Sequence, residues 1–152
     1  MTNMMRVVLG LGGNLGDSQR VFSGCLDAVA AQGRITKVSR LWRTRAVGPS
    51  QPDYLNAAAV VEWPSGPRPL LARCHELEVN AGRNRAREER WGPRILDLDL
   101  LIADTVVCRG PALKLPHPRL HERRFALEPA AEVTPDWLHP LLGFTIEELA
   151  AR

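Results

Sequence analysis

The sequence predicts an α+β fold, with a mainly antiparallel sheet, helices packed on it and a C-terminal appendage. Two kinds of pattern predict it: strand-like apolar runs and apolar residues at helical spacing. Their order is β-α-β-β-α-β, with two strands in direct succession, whereas a doubly wound parallel sheet needs strands and helices to alternate. A length of 152 residues is typical of one domain, so we expect a single domain over residues 1–152.

The first strand and the first helix flank a glycine-rich segment. Residues 6–11 are apolar and predict a buried strand. The segment GLGGNLGD at 10–17 is rich in residues that tolerate positive φ and predicts a turn. Asp17 or Ser18 can cap the helix that follows, whose apolar residues recur at helical spacing up to Gly33.

Two strands and a second helix follow. Residues 34–44 are rich in β-branched and aromatic residues and predict the second strand. Residues 45–53, which we name the proline loop, separate it from a third strand with alternating side chains over 54–63. Pro69 suits the first turn of a helix that continues to Gly82.

The last core strand follows a segment dominated by arginine. Residues 83–94, which we name the arginine loop, hold five arginines in twelve residues and show no apolar periodicity. Residues 95–103 predict a strand, and 105–108 a short strand that returns along it. The appendage contains short helices near 122–128 and 145–150. With both core helices on one face, this order is the ferredoxin-like, split βαβ pattern.

Composition excludes several classes of protein. Apolar residues make up 45% and charged residues 24%, as in ordinary globular domains. No apolar run approaches the ~18 residues of a membrane span, and the first residues make a poor signal peptide. The three cysteines are far apart and suggest neither a disulfide framework nor a zinc site. We expect a cytoplasmic protein with no membrane partner, and a monomer.

Arginine dominates the basic residues. The net charge is only +3, yet 18 of the 20 basic residues are arginine. Arginine binds phosphates and carboxylates through two parallel hydrogen bonds, so the positions of the arginines carry more information than their number. A genome that favours arginine codons explains the total count equally well.

The glycine-rich segment matches no nucleotide-binding motif. It lacks the GK[ST] sequence of a Walker A loop, and Gly10-x-Gly12 is not followed by glycine at position 15. We therefore interpret the segment as a strand-to-helix turn that needs glycine.

Two aspartates share one face of the strand predicted at 95–103. Alternate side chains of a strand point the same way, so Asp97 and Asp99 lie together, with Cα atoms roughly 6.6 Å apart. The leucines at 96, 98 and 100 then point into the core. Neighbouring carboxylates repel each other and favour a cation between them, and Mg²⁺ prefers oxygen ligands. A solvated edge strand or pairing with arginines explains the same pattern.

Several loops can supply a ligand site near this strand. The arginine loop suits a Mg²⁺-polyphosphate, because guanidinium groups and metal together neutralise phosphate oxygens. A solvated basic loop or a nucleic-acid surface is the alternative, but the few aromatic residues speak against nucleic acid. His117 either binds a phosphate or forms part of a turn, whereas Arg123 and Phe125 suit a ligand. Tyr54 and Asn56 share a strand face that suits the edge of a heterocycle such as a pterin.

Four segments of the chain resemble 6-hydroxymethyl-7,8-dihydropterin pyrophosphokinase of the folate pathway. They are LGLGGNLGD at 9–17, RTRAVGPSQPDYLN at 43–56, ERWGPRILDLDLLIAD at 89–104 and LPHPRLHERRFALEP at 115–129. The RWGPR-x-LDLDLL block is highly specific. The resemblance implies a ferredoxin-like enzyme that transfers pyrophosphate from ATP to the hydroxymethyl group of the pterin. The pterin hydroxyl would attack the β-phosphorus of ATP and release AMP.

The resemblance also implies roles for individual residues. Asp97 and Asp99 would bind two Mg²⁺ ions, and Arg83 and Arg94 would act with them as catalytic residues. The residues implied in ATP binding are Glu78, Arg85, Arg90, Leu100, His117 and Arg123. The residues implied in pterin binding are Thr44, Val47, Tyr54, Asn56, Trp91 and Phe125. Arg87 is an alternative counterpart to Arg85, because the arginine loop is one residue longer than in the family. Arg45 stands where the family often has proline.

Two mechanistic hypotheses follow from these residues. With both aspartates on metal, no general base remains near the strand, so we expect the metal to lower the pKa of the attacking hydroxyl. The arginine loop is expected to close over ATP as a lid. Another Mg²⁺-dependent phosphotransferase or nuclease is one alternative. An RNA-binding module is the other, and it requires aromatic residues on an open sheet face. Otherwise we expect the two small substrates as partners and no nucleic acid.

Overall fold

The computed structural model describes residues 4–152, which form a central sheet with helices on both faces. In chain order the strands and helices are β1 (Met5–Gly13), α1 (Ser18–Ala30), β2 (Arg34–Val38), β3 (Trp42–Thr44), β4 (Tyr54–Trp63), α2 (Pro67–Asn80), β5 (Asp97–Ala103), β6 (Cys108–Arg109), β7 (Lys114–Leu115), α3 (Arg124–Val133) and α4 (Ile146–Ala150). Short 3₁₀ helices lie at Arg85–Arg87 and Leu120–Glu122.

The main sheet has the strand order β2-β4-β1-β5, and each neighbouring pair is antiparallel. Helix α1 connects β1 to β2, yet β4 lies between these two strands in the sheet, which is the split βαβ arrangement. β5 forms one edge beside β1, and β3 pairs with the first residues of β4. The predicted ferredoxin-like order of the core is confirmed.

The two faces of the sheet carry separate apolar cores. On the first face, side chains such as Leu9 and Leu98 pack against α1 and α2. On the second face, Val8, Val60 and Ile102 pack against α3 and α4 of the appendage. Side chains alternate between the faces, as strand geometry requires. The appendage is therefore a third layer, and it covers much of the sheet surface that an RNA-binding module would leave open.

The single strand predicted over residues 34–44 is wrong, because the chain leaves the ladder between Val38 and Trp42. The Ser39 N–H donates to the Ala58 carbonyl at 2.8 Å, and the Ser39 hydroxyl accepts the Ala58 N–H at 2.9 Å. The hydroxyl thus replaces a backbone acceptor of the ladder. A serine that bonds nearby backbone groups competes with regular pairing, and this explains the division into β2 and β3.

The turn predicted at residues 10–17 begins only after Gly13, because β1 continues through three glycines of this segment. A Cβ added to Gly12 would lie 2.9 Å from Asn56 Oδ1, and one added to Gly13 would lie 2.7 Å from the Ile95 carbonyl oxygen. These distances are too short for a side chain. The two glycines therefore allow a close approach of neighbouring groups, which is the other common reason for glycine in a strand.

The helices agree with the predicted segments, with shifted ends. Asp17 is the residue that caps α1, since its carboxylate accepts the Arg20 N–H at 3.2 Å. Helix α2 begins at Pro67, slightly earlier than predicted. Helix α4 begins with a capping box in which Thr145 and Glu148 each accept the other's backbone N–H.

The returning strand predicted at 105–108 is wrong. Asp104 donates its N–H to the Arg6 carbonyl at 2.9 Å, and its carboxylate accepts the Arg6 N–H at 3.1 Å. These bonds close the pairing of β5 with β1 at this end of the strand. The chain then leaves the sheet, and β6 pairs with β7 in a separate two-stranded ribbon.

Candidate active site

The second face of the sheet is divided into two parts. The covered half, buried under the appendage, consists of Val8, Ala58, Val60, Leu101 and Ile102. The open half continues the same face toward the other strand ends. There the register places Asn56, Gly12 and Asp97 in one row across β4, β1 and β5, with Gly10 and Asp99 in the next row. Gly12 has no side chain, so its backbone forms a floor between the Asn56 amide and Asp97, whereas the Leu101 side chain lies over Gly10, 3.1 Å from the position of an added Cβ.

The two aspartates lie together on this face, while the leucines at 96, 98 and 100 are buried on the other, as predicted. The Asp97 side chain is 42% exposed, and its Oδ1 accepts Arg83 Nη1 at 2.9 Å. Burial, and then the charge of Asp97, raise the pKa of Asp99 from 3.8 to about 6, while Arg123 acts in the opposite direction. A half-buried carboxylate whose charge is only partly compensated favours a nearby cation.

Arg83 lies at the centre of a buried ion-pair network, with only 6% of its side chain exposed. Its guanidinium donates to Glu78 and Asp97, each at 2.9 Å, and to both carboxylate oxygens of Glu88, at 2.7 and 3.1 Å. Burial opposes its charge, but the bonds to Glu88 and Asp97 raise the pKa of Arg83. Glu78 also accepts the Leu98 N–H at 2.8 Å, which ties the network to the backbone between the two aspartates.

The other predicted arginines are held in different ways. Arg94 lies 3.2 Å from Glu88 and donates to three carbonyl groups of its own loop. The Arg85 side chain is 62% exposed and bonds Glu78 at 2.9 Å. Arg90 is exposed. The arginines with the deepest positions therefore face acidic side chains and carbonyls of the protein itself, so a phosphate group has to exchange with Glu88 to reach them.

His117 and Arg123 approach the aspartates from the appendage. The His117 N–H donates to the Leu101 carbonyl at 2.7 Å, which fixes the residue beside β5. Its Nδ1 accepts the Arg119 N–H at 3.1 Å, so the neutral ring carries its proton on Nε2. Burial and the charge of Arg123 lower the pKa of His117. The two roles predicted for His117, in a turn and in phosphate binding, are compatible. Nδ1 accepts a hydrogen bond within the turn, and Nε2–H is the ring's donor.

The polar residues of β4 lie at the other end of the glycine floor. Asn56 is 7% exposed, its Nδ2 donates to Thr44 Oγ1 at 3.2 Å, and its Oδ1 lies above Gly12. The Tyr54 hydroxyl donates to the Gly92 carbonyl at 2.6 Å, and burial raises the pKa of Tyr54. The asparagine therefore presents a carbonyl acceptor above bare backbone, beside a tyrosine fixed by the arginine loop.

Three apolar side chains predicted for the site are exposed: Val47 by 71%, Trp91 by 53% and Phe125 by 42%. The Arg90 guanidinium lies 5.3 Å from the Trp91 ring, and that of Arg123 lies 5.7 Å from the Phe125 ring. Trp91 also adopts a φ of 62°, in the left-handed region that bulky residues rarely enter. The apolar surface of these three side chains is therefore free to contact a ligand.

Leu100 can contribute its backbone but not its side chain, which is 4% exposed and packs in the core of the first face. β5 is an edge strand, and backbone groups of an antiparallel strand face alternate sides. The Leu98 N–H bonds the Glu78 side chain outside the sheet, and the Leu101 carbonyl accepts the His117 N–H, so the Leu100 backbone lies between two groups with partners outside the sheet. The register of β5 against β1 shifts directly after Leu100.

Three polar residues of this region are missed by the sequence analysis: Asn14, Gln51 and Glu88. Asn14 is 6% exposed and bonds Gln51 at 2.8 Å, and Glu88 bonds two arginines. Two sequence signals could have found Asn14 and Glu88. The first is an amide directly after a buried, glycine-rich strand, and the second is an acidic residue among five arginines. Both patterns indicate internal hydrogen bonds rather than ligand contacts.

Within the described residues, no group of three or more histidine, cysteine or carboxylate side chains is arranged to hold a metal ion. The same part of the chain contains no helix with both the length and the apolar composition of a membrane span.

Comparison with known proteins adds a family to this geometry. The family model for 7,8-dihydro-6-hydroxymethylpterin-pyrophosphokinase matches residues 8–135. A 2-amino-4-hydroxy-6-hydroxymethyldihydropteridine pyrophosphokinase of Synechocystis sp. is 39% identical over 144 residues, which cover 93% of this chain and 73% of that protein. A protein of the same name from Methylorubrum extorquens is 38% identical over 152 residues, which cover 98% of this chain and 94% of that protein.

A solved structure agrees at the level of the fold. The structure of Plasmodium falciparum HPPK-DHPS is similar to this chain with a TM-score of 0.73 and 12% sequence identity. The similarity covers 99% of this chain but 45% of that one, so this chain spans less than half of the larger protein.

Proposed function

The chain belongs to the 7,8-dihydro-6-hydroxymethylpterin-pyrophosphokinase family and is an ATP-dependent pyrophosphokinase of folate biosynthesis, and we propose that the open half of the sheet is its active site. The reaction transfers pyrophosphate from ATP to the hydroxymethyl group of 6-hydroxymethyl-7,8-dihydropterin and gives the pterin diphosphate and AMP. One observation carries the assignment of the site: the carboxylate pair of β5 and the amide of β4 flank a glycine floor on one sheet face.

The donor set at the carboxylate end suits magnesium. Asp97 and Asp99 supply hard oxygen ligands, and the pKa of Asp99 is raised because burial and the charge of Asp97 outweigh the opposing charge of Arg123. The described residues offer no third side-chain ligand. Mg²⁺ commonly binds through one or two carboxylates, with phosphate oxygens and water completing its shell. We assign two Mg²⁺ ions to this pair; when bound, they would neutralise phosphate charge and lower the pKa of the attacking hydroxyl.

The ATP side of the site is assigned to residues around β5. Nε2 of His117 and the guanidinium of Arg123 are donors for the phosphates, and the backbone of Leu100 in the edge strand is assigned to adenine. Arg83 and Arg94 act in catalysis once the phosphates replace Glu88 as their partner. Arg85 and Arg90 bind ATP as the arginine loop closes, and Glu78 holds Arg83 and Arg85 in place.

The pterin side lies at β4 and the rim. The carbonyl oxygen of Asn56 accepts a hydrogen bond from the heterocycle, while Thr44 fixes the amide through its 3.2 Å bond. Tyr54 and Phe125 form aromatic walls. Val47 and Trp91, which are exposed, cover the pterin when the loops close.

The site needs little covalent chemistry, because transfer depends on alignment and on neutralising charge. The protein orients the hydroxymethyl group toward the β-phosphorus from the amide end of the floor. Its arginines and His117 hold the triphosphate at the carboxylate end. Closure of the arginine loop excludes water, which would otherwise compete with the pterin as nucleophile.

The product analysis tests this function directly. The protein is incubated with Mg-ATP and the pterin, and nucleotides are separated by chromatography. We expect AMP in equal amount to the pterin diphosphate. ADP as the main product would indicate transfer of the γ-phosphate and would contradict the proposal. ATP hydrolysis at a rate that does not depend on the pterin would contradict it as well.

Hydrogen exchange tests the lid. Exchange in residues 83–94 should slow when a non-hydrolysable ATP analogue and the pterin bind together. Unchanged exchange in that segment, with slower exchange around β4 and β5, would contradict closure but not pterin binding.

We propose further that residues 1–152 act as one pyrophosphokinase domain, that they work as a monomer and that ATP and the pterin are their partners. The single sheet shared by both apolar cores supports the first point. The cytoplasmic location stays a prediction from the cysteine pattern.

A further inference from the structure

We propose that Asn14 and Gln51 are positioning residues that hold the proline loop and the arginine loop in one arrangement, so that pterin and phosphate subsites are assembled together. This inference rests on the proposed function. The hydrogen bonds of both side chains go to groups other than the carboxylate pair, and the sequence analysis assigns neither residue a role. Both act through residues that do belong to the site.

Asn14 joins three separate segments from a buried position. It follows β1, and its Oδ1 accepts the Arg94 N–H at 2.9 Å while its own N–H donates to the Arg94 carbonyl at 2.9 Å. Its Nδ2 donates to Gln51 Oε1 and to the Pro52 carbonyl, both at 2.8 Å. With 6% exposure and both amide hydrogens used, this side chain has no freedom to serve a ligand. Its hydrogen bonds set the distance between loops.

Gln51 connects the proline loop back to the arginine loop. Its Nε2 donates to the Trp91 carbonyl at 2.8 Å and to the Pro49 carbonyl at 3.1 Å. The contact is close, since a Cβ added to Gly48 would lie 2.8 Å from the Trp91 Cβ. The path Arg94–Asn14–Gln51–Trp91 therefore begins and ends in the arginine loop and passes through the proline loop.

The ends of this path have different assignments. Arg94 belongs to the phosphate side, whereas Trp91, like Val47 in the proline loop, belongs to the pterin side. A ligand that moves one loop must therefore move the other or break the Asn14 and Gln51 bonds. Such shared bonds make the affinity of one ligand depend on the other, and the dependence is reciprocal.

Gln51→Met tests the link, because methionine keeps the length of the side chain and removes both polar groups. Gln32→Met is the matched control, since Gln32 is exposed at the end of α1 and far along the chain from either loop. Asn14→Ala removes the whole junction. For each protein, titration calorimetry measures the Kd of a non-hydrolysable ATP analogue alone, and of the pterin with that analogue bound. Turnover to AMP and the melting temperature are measured in parallel.

With the analogue bound, we expect Gln51→Met to raise the pterin Kd roughly tenfold. The loss of one hydrogen bond between uncharged groups typically changes an equilibrium constant by on the order of tenfold. The Kd of Gln51→Met for the analogue alone should stay within about twofold of the wild type. Asn14→Ala should weaken both ligands, because it also releases Arg94. A parallel loss of both affinities and melting temperature in Gln51→Met would show a merely structural role and overturn the inference.

The failure of this inference is distinct from that of the proposed function. Suppose that the wild type forms AMP and that Gln51→Met binds the pterin with the same Kd as the Gln32→Met control. That result would overturn this inference and leave the proposed function standing. A wild-type protein that makes no AMP would overturn the proposed function and this inference with it.

Discussion

The covered half and the open half of the second sheet face are built from the same three strands and differ in almost every other respect. In the covered half, Val8, Val60 and Ile102 are at most 4% exposed and belong to one apolar cluster with side chains of α3 and α4. In the open half, glycine replaces the central side chain, and a buried amide and two carboxylates surround it. Alternation along the strands places both sets on one face.

This difference separates the residues that stabilise the fold from those that are proposed to bind ligands. The covered half gains free energy from apolar burial, whereas the open half holds Asp99 in an environment that disfavours its charge. The apolar side chains of α3 and α4 cover only one end of this face, so one continuous face serves as core at that end and as candidate site at the other. Variants in the two halves should therefore separate activity from folding.

The largest expected effect concerns activity in the open half. Asp99→Ala should lower turnover by about a hundredfold or more, because it removes half of the carboxylate pair that is assigned to the metal ions. AMP formation at saturating Mg-ATP and pterin measures this. Asp104→Ala is the control directly after the same strand, where, within residues 4–152, the carboxylate bonds Arg6. Near-normal rates in Asp99→Ala would refute the two-metal assignment.

The covered half should show the opposite behaviour. Leu127→Ala in α3 removes a side chain that is 1% exposed, and we expect it to destabilise the fold by about 2–5 kcal/mol. Denaturant unfolding measures the loss. The rate per folded molecule should stay within about twofold of the wild type, and a large fall in that rate would show that the appendage also shapes the site.

The charge of Asp99 makes a prediction with a defined sign. Its folded pKa of about 6 lies above the ordinary 3.8, so the native state is favoured by protonation and loses that stability as the pH rises through 6. Asp99→Asn should therefore be more stable than the wild type at pH 7 without Mg²⁺, by about 1–3 kcal/mol. The gain should disappear near pH 4. A gain of equal size at both pH values would point to packing instead.

The smallest effect concerns the glycine floor. Gly12→Ala places a methyl group 2.9 Å from Asn56 Oδ1, and the displaced amide should raise the pterin KM by roughly tenfold. Steady-state kinetics at saturating Mg-ATP measure it. Gly24→Ala in α1 is the control, since a Cβ there meets nothing within 4 Å and should stabilise the helix by about 1 kcal/mol. An unchanged pterin KM in Gly12→Ala would contradict the proposed role of Asn56 as a hydrogen-bond acceptor for the pterin.

Local periodicity explains what the sequence could predict. The alternation around Asp97 and Asp99 fixes their shared face without any knowledge of the rest of the fold, and the order of the core elements follows from similar patterns. Two features lie beyond such reasoning. The break at Ser39 depends on Ala58, nineteen positions away, and glycine at position 12 has the same signature in a turn as in a tightly paired strand.

The candidate site was predictable to the same extent. Residues such as Asn56 and His117 belong to recognisable segments, and the fold places them around one floor. The internal partners were not predictable, because the contact of Asn14 with Gln51 joins two loops that have no period. Glu88 was missed for a related reason: an acid among arginines can be solvated or buried, and only the three-dimensional pairing decides between them.

The glycine floor has a consequence for inhibitors. Between Asn56 and Asp97 a bound molecule meets the backbone of Gly12, where an added Cβ would lie 2.9 Å from Asn56 Oδ1. Compounds that draw their affinity from side chains at the rim, such as the exposed Val47, can be evaded by a single substitution. Compounds that rest on the floor confront a surface that resistance mutations cannot reshape without disturbing the sheet that carries it.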